Sequence, residues 1–345
     1  MNTRLRSTMA AQGGLVTHAQ VLESGLRPAQ ATQLRRSGDL VRLVRGVYAD
    51  GELWRSLDEH VGRPLLRARA ALMSKQRTWV MSHDSAALVM GMPLIDARSS
   101  DAHLTRPGYG TAWTRHGIAH HYAPYADHQL VTTSLGERHL DAARTVADLG
   151  REHGELAALV AADWALRHGS SKARLIEASL PMAHWPGICG VRSAIQRADP
   201  RAESAAESLA RDLLQEMGIG EVDQQFPILP GGRLYWCDLR VGNHVFEVFG
   251  RIKLVPVADG GVATRSPTEV ALDDKRRQRA IRDEDLGLSE ITWEDFFGPG
   301  RAAAQARLRA DYLTTERRFG RDLHPRLARQ AAELRERHGR RDRER

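Results

Sequence analysis

Two acidic residues lie close together in a short hairpin-like segment, and both have the chemistry of metal ligands. The segment CDLRVGNHVFEVFGRIK, residues 237–253, predicts two short strands joined by a Gly-Asn turn. Asp238 is expected near the end of the first strand and Glu247 inside the second, so the hairpin can bring both carboxylates to one edge. A metal-dependent nuclease needs two or three carboxylates on one Mg²⁺, to bind the scissile phosphate and to make a hydroxide nucleophile.

A third acid precedes this segment on a predicted amphipathic helix. AESAAESLARDLLQEMG, residues 202–218, carries leucines at helical spacing, and Glu207 lies at the edge of their stripe. The order of helix acid, strand acid and strand acid is the one expected of the PD-(D/E)XK architecture. It predicts Glu207, Asp238 and Glu247 as catalytic residues, with Asp238 and Glu247 as the metal ligands. Taken singly, each acid is more typical of an ordinary surface residue than of a metal ligand.

The first fifty residues predict a winged helix-turn-helix. Thr17 can cap a second helix after the first, Pro28 suits the first position of a third helix, and Gly38 stops that helix. Two β-rich runs then flank a tight turn at Arg45-Gly46. Three helices and a β-hairpin in this order are the outline of a winged helix.

The third helix has the side chains of a DNA-recognition helix. Ala31 and Leu34 are expected to face inward. The residues predicted to contact DNA from this helix and from the hairpin are Arg27, Gln30, Gln33, Arg35, Arg36, Arg42 and Arg45. Such donors reach base edges and also hold phosphates. The alternatives are an ordinary solvated helix face and a winged helix that docks a protein.

Segment patterns predict an α/β multidomain protein. Residues 1–52 are assigned to the winged helix, 53–195 to an α/β middle domain, 196–300 to a domain with the nuclease-like acids, and 301–345 to a basic helical tail. Helical and strand-like segments alternate in the middle domain, and the Arg-rich end of the tail is expected to be frayed.

Composition narrows the class of protein. Among 345 residues, 50 Lys and Arg face 43 acids, a net charge of +7, and the clustered arginines favour phosphate partners. The 2 cysteines, with no CxxC, exclude a zinc knuckle and a disulfide framework. The sequence has no apolar run of about 18 residues and no secretory h-region, so we expect a cytoplasmic protein with no membrane partner.

Histidines in the middle region are dense enough to be candidate metal ligands. Four of them are close in sequence: His116, His120, His121 and His128. No cysteine or acid joins them at zinc spacing, so the pattern favours strand-surface histidines. The run Ser82-His83-Asp84 is adjacent in sequence only, whereas triads form in space, and Ser82 is predicted to cap a helix.

The chain resembles known families over most of its length, except for the tail. The run GGLVTHAQVLESGL…QLRRSGDLVRLVRGVYAD resembles the winged-helix domain of AbiEi-type antitoxins, which are transcriptional autoregulators of type IV toxin–antitoxin systems. MSHDSAALVMGMPL and LDAARTVADLG resemble segments that follow that domain in actinobacterial relatives. Residues 202–297 resemble the nuclease-like domain related to very-short-patch-repair (Vsr-like) endonucleases, through FEVFGRIK, DDKRRQRAI and ITWEDF.

One residue departs from the nuclease-like pattern. In that family the second strand usually carries Glu, any residue and then Asp, followed by Gly-Arg. Here Glu247 takes the first acidic place, whereas Phe249 takes the second, and a phenyl ring cannot bind Mg²⁺. Lys253 or Lys275 would have to reach back to complete the site. The favoured interpretation is a retained fold with weakened or absent cleavage.

The same resemblance implies a phosphate-binding surface. Its residues are Arg251, Lys275, Arg276 and Arg277, for which the alternative is a solvated basic face. We therefore expect a double-stranded-DNA-binding, antitoxin-like transcriptional regulator that needs no cofactor to bind DNA and has a cognate toxin as partner. The alternatives are a Mg²⁺- or Mn²⁺-dependent DNA endonuclease targeted by its winged helix, and a protein-interaction module with neither activity.

Overall fold

The computed structural model describes residues 1–75, 78–95, 101–249 and 267–339, with the backbone only for 267–271, 274 and 339. The chain divides into two compact units, Met1–Pro200 and Arg201–Arg345. None of the described helices is long and apolar enough to cross a membrane. The predicted residues Arg251 and Lys253 lie outside the described residues.

The N-terminal unit begins with a winged helix-turn-helix. Its elements are α1 (Thr3–Ala11), β1 (Leu15–Thr17), α2 (His18–Glu23), α3 (Pro28–Arg36), β2 (Leu40–Val44) and β3 (Val47–Asp50), and its antiparallel sheet has the order β1-β3-β2. The predicted cap is confirmed: the Thr17 side chain accepts a hydrogen bond from the Gln20 backbone N–H, and the Gln20 side chain accepts one from the Thr17 N–H. Pro28 opens α3 as predicted.

The apolar residues of this winged helix form a small core of their own. Ala31 is buried and Leu34 packs against the same cluster, as the helical spacing predicts. The other members are Leu5, Met9, Val16, Val21, Leu40 and Tyr48. This burial fixes which face of α3 points to solvent.

The rest of the N-terminal unit is a mixed sheet followed by helices. Its elements are α4 (Gly51–Ser56), α5 (Gly62–Met73), β4 (Val80–Met81), α6 (His83–Met90), β5 (Ala102–Arg106), β6 (Trp113–Arg115), β7 (Ile118–Tyr122), β8 (Leu130–Thr132), β9 (Arg138–Leu140), α7 (Ala142–His153), α8 (Glu155–Arg167), α9 (Lys172–Ser179) and α10 (Ile188–Arg197). The six-stranded sheet has the order β6-β7-β5-β4-β9-β8.

The domain limits differ from those predicted. The second core of the winged helix is shared with the middle region, because Leu15 and Val47 pack in one cluster with Leu66 and Leu104. Residues 1–52 therefore have one core of their own and share a second core with residues 53–195. The predicted limit at 195/196 falls inside α10, and the units divide after Pro200 instead. Ile195 and Ala198, on either side of the predicted limit, are buried.

The C-terminal unit is an α/β domain built on a four-stranded sheet. Its elements are α11 (Ala205–Met217), β10 (Asp223–Ile228), β11 (Tyr235–Val241), β12 (His244–Phe249), α12 (Pro267–Asp283), β13 (Gly287–Thr292), α13 (Gly298–Phe319) and α14 (Pro325–Gly339). The strand order is β10-β11-β12-β13. The first two pairs are antiparallel, and β12 and β13 are parallel.

A two-residue turn joins β11 to β12 as predicted. Gly242 has φ +55°, which suits the first position of a type II′ hairpin turn. The Asn243 amide donates hydrogen bonds of 2.9–3.1 Å to three carbonyls between α13 and α14. Asp238 lies in the middle of β11 rather than near its end, because the strand begins at Tyr235.

The predicted basic tail is part of the C-terminal unit. Its limit at residue 301 falls inside α13, where Leu308 is fully buried. Leu327 and Ala331 of α14 belong to the core cluster that contains Phe226 of β10. Because arginines lie between these apolar positions in the sequence, the buried stripe of helical period was not predicted.

Replacing Leu308 with Ala tests whether α13 is part of this core. Leu308 is 0% exposed, so Leu308→Ala should lower the free energy of unfolding of the C-terminal unit by about 2–5 kcal/mol. Leu313→Ala on the same helix is the matched control, because Leu313 is 44% exposed, and it should change this free energy by about 0.5 kcal/mol or less. Urea denaturation measures both, and equal losses would contradict the packing described.

Candidate functional site

The polar face of α3 is open to solvent. All seven residues predicted to contact DNA from the winged helix are exposed. Gln33 and Arg36 lie three positions apart and so project from one face of the helix. Arg42 lies on β2, and Arg45 lies in the turn to β3. The winged helix thus presents amide and guanidinium donors from both its third helix and its hairpin.

Two of these side chains also have structural contacts. The side-chain carbonyl oxygen of Gln30 accepts a hydrogen bond of 2.8 Å from the backbone N–H of Arg27. This hydrogen bond caps the start of α3. The Arg35 guanidinium lies 5.9 Å from the centre of the Tyr48 ring. Gln33 and Arg36 are therefore the better candidates for base contacts.

The C-terminal unit brings the predicted acids together around one arginine. The register of β11 and β12 pairs Leu239 with Phe246, and the same register puts Asp238 opposite Glu247. Arg277 of α12 lies 2.7 Å from Glu247 Oε2 and 3.6 Å from Asp238 Oδ1. The side chains of Asp238, Glu247 and Arg277 are 14%, 16% and 29% exposed.

The backbone pairing of Asp238 is interrupted toward both neighbouring strands, β12 and β10. Asp238 Oδ2 accepts a hydrogen bond of 2.8 Å from the Val248 backbone N–H, and Arg277 donates to the Trp236 carbonyl. On the other side, Gln225 of β10 breaks the pairing with φ +51°, a left-handed conformation that is strained for a residue with a Cβ. Side chains therefore satisfy the backbone groups that the open pairing leaves.

Gln225 also connects Glu207 to this region. Its side-chain N–H donates a hydrogen bond of 3.0 Å to Glu207 Oε2. Glu207 accepts two more hydrogen bonds, from the Glu203 backbone N–H at 2.8 Å and from the Ser204 hydroxyl at 2.9 Å. Sequence reasoning missed Gln225, because nothing in DQQFPI signals a left-handed residue inside a strand.

Burial changes the acidity of this cluster. Burial and the neighbouring Asp238 carboxylate raise the pKa of Glu247 to about 7. Burial, with a contribution from Asp238, also raises the pKa of Glu207. Burial alone would lower the pKa of Arg277, but Glu247 and Asp238 outweigh it and raise that pKa. Arg277 therefore remains a cation beside Glu247, whose charged form is destabilised by burial.

The remaining predicted residues lie around the cluster. Phe249 is two residues after Glu247 on β12 and so lies on the same face of the sheet, half-buried. Lys275 and Arg276 of α12 are exposed, and Arg276 lies 3.6 Å from Asp273. Of the α12 cations predicted for phosphate, Arg277 is the one that contacts the acids.

The histidines of the N-terminal unit differ from the surface residues expected. His116 and His128 are exposed, but His120 is buried beside Trp113, with ring centres 4.6 Å apart, and His121 is half-buried. His121 stacks on His83, which follows Ser82. Ser82 precedes α6 as predicted, but its side chain makes no capping hydrogen bond and contacts His83 instead.

Glu247→Gln tests the raised pKa. The folded value of about 7 lies above the ordinary 4.5, so the folded chain keeps a proton that the unfolded chain has lost. Stability should therefore fall as pH rises from about 5 to about 8. We expect wild type to lose about 1–3 kcal/mol relative to Glu247→Gln over this range, measured by urea denaturation at each pH.

The comparison between variants removes the effect of other titrating groups, such as His244, whose pKa burial lowers to about 4. The control is Glu290→Gln, an exposed position opposite Glu247 on β13, and its pH profile should match that of wild type. Parallel profiles for wild type and Glu247→Gln would contradict the raised pKa.

Comparison with known proteins gives one match at the level of a family. Residues 4–49 match the model of the family described as "Transcriptional regulator, AbiEi antitoxin". The RV2827C protein from Mycobacterium tuberculosis, known from a crystal structure, is 18% identical, with a TM-score of 0.37 over 60% of this chain and 79% of that chain. No curated protein matches the chain. The similarity to a regulator family is thus located in the winged helix.

Proposed function

We propose that this protein is a double-stranded-DNA-binding transcriptional regulator of the antitoxin type. The observation that carries the proposal is the exposed polar face of α3, which lies within the segment that matches the regulator family. A winged helix binds DNA by placing its third helix in the major groove, where amide and guanidinium groups reach base edges. The family description also supports a cognate toxin as protein partner.

Each part of the winged helix has its own role in this proposal. Gln33 and Arg36 contact base edges, while Arg42 and Arg45 hold the flanking phosphates. Gln30 keeps the helix start in place through the Arg27 backbone. All of these contacts come from the protein itself, so DNA binding needs no metal ion or other cofactor.

For the C-terminal unit we propose an impaired nuclease fold of the PD-(D/E)XK, Vsr-like type. The order α11-β10-β11-β12-α12-β13, with three antiparallel strands followed by a parallel one, supports this assignment. Asp238 and Glu247 would hold Mg²⁺ or Mn²⁺ in an active enzyme. The Arg277 guanidinium lies against both carboxylates, so an ion would have to displace it, and Phe249 offers no replacement ligand.

Exposed cations near Asp238 and Glu247 support an electrostatic contact with the DNA backbone. Lys275 and Arg276 lie on α12 beside Arg277 and are solvent-accessible. In the proposed function they attract phosphates electrostatically without cleaving them. The C-terminal unit then adds affinity rather than sequence specificity.

Variants of the winged helix test the DNA-binding proposal. Gln33→Ala and Arg36→Ala should each weaken binding to the DNA upstream of the protein's own gene by about 10-fold, because each removes a base contact. Arg45→Ala should weaken specific and unrelated DNA alike and reduce the salt slope of log K by about 1. Fluorescence anisotropy of labelled duplexes over a salt series measures these effects.

The control for charge is Arg115→Ala, an exposed arginine on β6 outside the winged helix, which should leave affinity unchanged. Equal losses of DNA affinity in Arg115→Ala and Arg36→Ala would mean that net charge explains the effect, and not a contact made by Arg36. Unchanged binding in both α3 variants would contradict recognition by α3.

Metal-dependent cleavage is the second candidate function, favoured by the convergence of Asp238 and Glu247. We expect no Mn²⁺-dependent nicking of supercoiled plasmid by the wild-type chain, because Arg277 neutralises the acids. Nicking that disappears in Asp238→Ala but persists in Glu290→Gln would overturn this expectation. In that case Arg277 leaves the acids when metal and DNA bind, and the chain is an endonuclease.

A further inference from the structure

Three histidines from separate segments converge inside the N-terminal unit. His83 begins α6, His103 lies on β5 and His121 lies on β7. One nitrogen of each lies within 4.8 Å of those of the other two. His83 and His103 are each 4% exposed, and His121 is half-buried, so the cluster has one side toward solvent.

The spacing of two of these nitrogens suits a metal ion. His103 Nδ1 lies 3.1 Å from His121 Nε2. Two nitrogens that each lie 2.0–2.1 Å from a tetrahedral Zn²⁺ are separated by about 3.3 Å. The two rings are also nearly coplanar in orientation, 15° apart, with centres 5.2 Å from each other. An ion between the two nitrogens therefore needs only a small displacement of these side chains.

The outer nitrogens of the cluster face groups that can orient the rings. His103 Nε2 lies 4.0 Å from Asp84 Oδ2, and Asp84 Oδ1 is fixed by His153 Nε2 at 2.6 Å. His83 Nδ1 lies 3.0 Å from the Ser82 hydroxyl, which leaves its Nε2 for a ligand. Carboxylates and hydroxyls behind metal-binding histidines set the tautomer and raise the basicity of the ligand nitrogen.

The backbone and the charge state of the cluster agree with ligand binding. His83 has φ +47°, a left-handed conformation that is strained for a histidine and is found at ligand sites. Burial and the neighbouring His121 and His103 lower the pKa of His83, and burial with His103 lowers that of His121 to about 4. Both shifts favour the neutral imidazole, which is the form that binds metal.

We propose that His83, His103 and His121 bind one first-row transition-metal ion, with Zn²⁺ as the preferred occupant. Imidazole nitrogens suit Zn²⁺ better than Mg²⁺ or Ca²⁺. In the bound state His103 Nδ1 faces the ion, and its Nε2 carries the ring proton on the side of Asp84. The His83 ring has to leave its stack on His121, where the ring centres are 4.0 Å apart, because stacked rings do not share a lone-pair direction.

The proposed ion would stabilise the part of the chain that supports the winged helix. Leu104 follows His103 on β5, and it packs in one cluster with Leu15 of β1 and Val47 of β3. Since the ion would join β5, β7 and the start of α6, its binding should raise the unfolding temperature of the N-terminal unit. Three protein nitrogens would leave one of the four tetrahedral positions of Zn²⁺ without a protein ligand.

The test uses the full chain without a histidine tag, stripped with a chelator and then titrated with Zn²⁺ and with Co²⁺. Elemental analysis after dialysis should give one Zn²⁺ per chain, and Co²⁺ should give the visible bands of tetrahedral nitrogen coordination. His121→Gln should lose at least about 10-fold in affinity, and Asp84→Asn about 10-fold. His121 is half-buried and Asp84→Asn is isosteric, so both variants should fold, which circular dichroism checks.

Two controls separate this site from others. His128→Ala removes an exposed histidine of the same unit and should bind as wild type does. Asp238→Ala removes a carboxylate of the C-terminal cluster and should leave the Co²⁺ bands unchanged. Absence of bound Zn²⁺, or equal affinity in wild type, His121→Gln and Asp84→Asn, would overturn the proposal and leave the cluster as a set of stacked neutral histidines.

Discussion

Buried carboxylates must be neutralised, since a charge taken out of water costs several kcal/mol unless a cation or a proton compensates it. In the C-terminal unit the requirement is met by Arg277, which contacts both Glu247 and Asp238, while Glu207 is stabilised by hydrogen bonds from Gln225 and Ser204. The contacts of Arg277 connect α12 to β11 and β12. The same requirement also accounts for the broken strand pairing, because Asp238 and Arg277 bind backbone groups that the ladder leaves open.

The N-terminal unit meets the same constraint with histidines as well as arginine. Arg144 lies 3.0 Å from Asp148 with both side chains buried, and Asp84 faces His153 and His103. Neutral imidazoles can give their lone pairs to a metal ion, whereas the guanidinium of Arg277 only competes with one. We therefore propose opposite consequences for the two clusters: Arg277 competes with a metal ion for the acids, whereas the histidines can bind one.

Local features of the fold followed well from the sequence. The capping box at Thr17, the start of α3 at Pro28 and the inward position of Ala31 depend on neighbouring residues only, and all three are confirmed. The exposed face of α3 followed from the same helical period. The approach of Asp238 to Glu247 was also foreseen, because a two-residue turn fixes the register of its hairpin.

Features that depend on distant segments did not follow. The histidine cluster joins α6, β5 and β7, which no spacing rule connects, and the sequence therefore favoured surface histidines. Arg277 was predicted to contact phosphate together with its neighbours on α12. Its contact with the acids depends on the rotation of α12 against the sheet, which is set by tertiary packing. The apolar stripe of α13 and α14 was hidden by arginines, so Leu308 was assigned to a separate tail.

We propose that this chain recognises DNA through α3 without a metal ion. Hydroxyl-radical footprinting of the full chain on the DNA upstream of its own gene tests it most directly, with EDTA in one arm and Mn²⁺ in the other. We expect the same protected stretch in both arms, of a length set by one or more winged helices, and intact DNA strands outside the radical cuts. Protection that requires Mn²⁺, or new breaks at a fixed position in the Mn²⁺ arm before radical treatment, would contradict it.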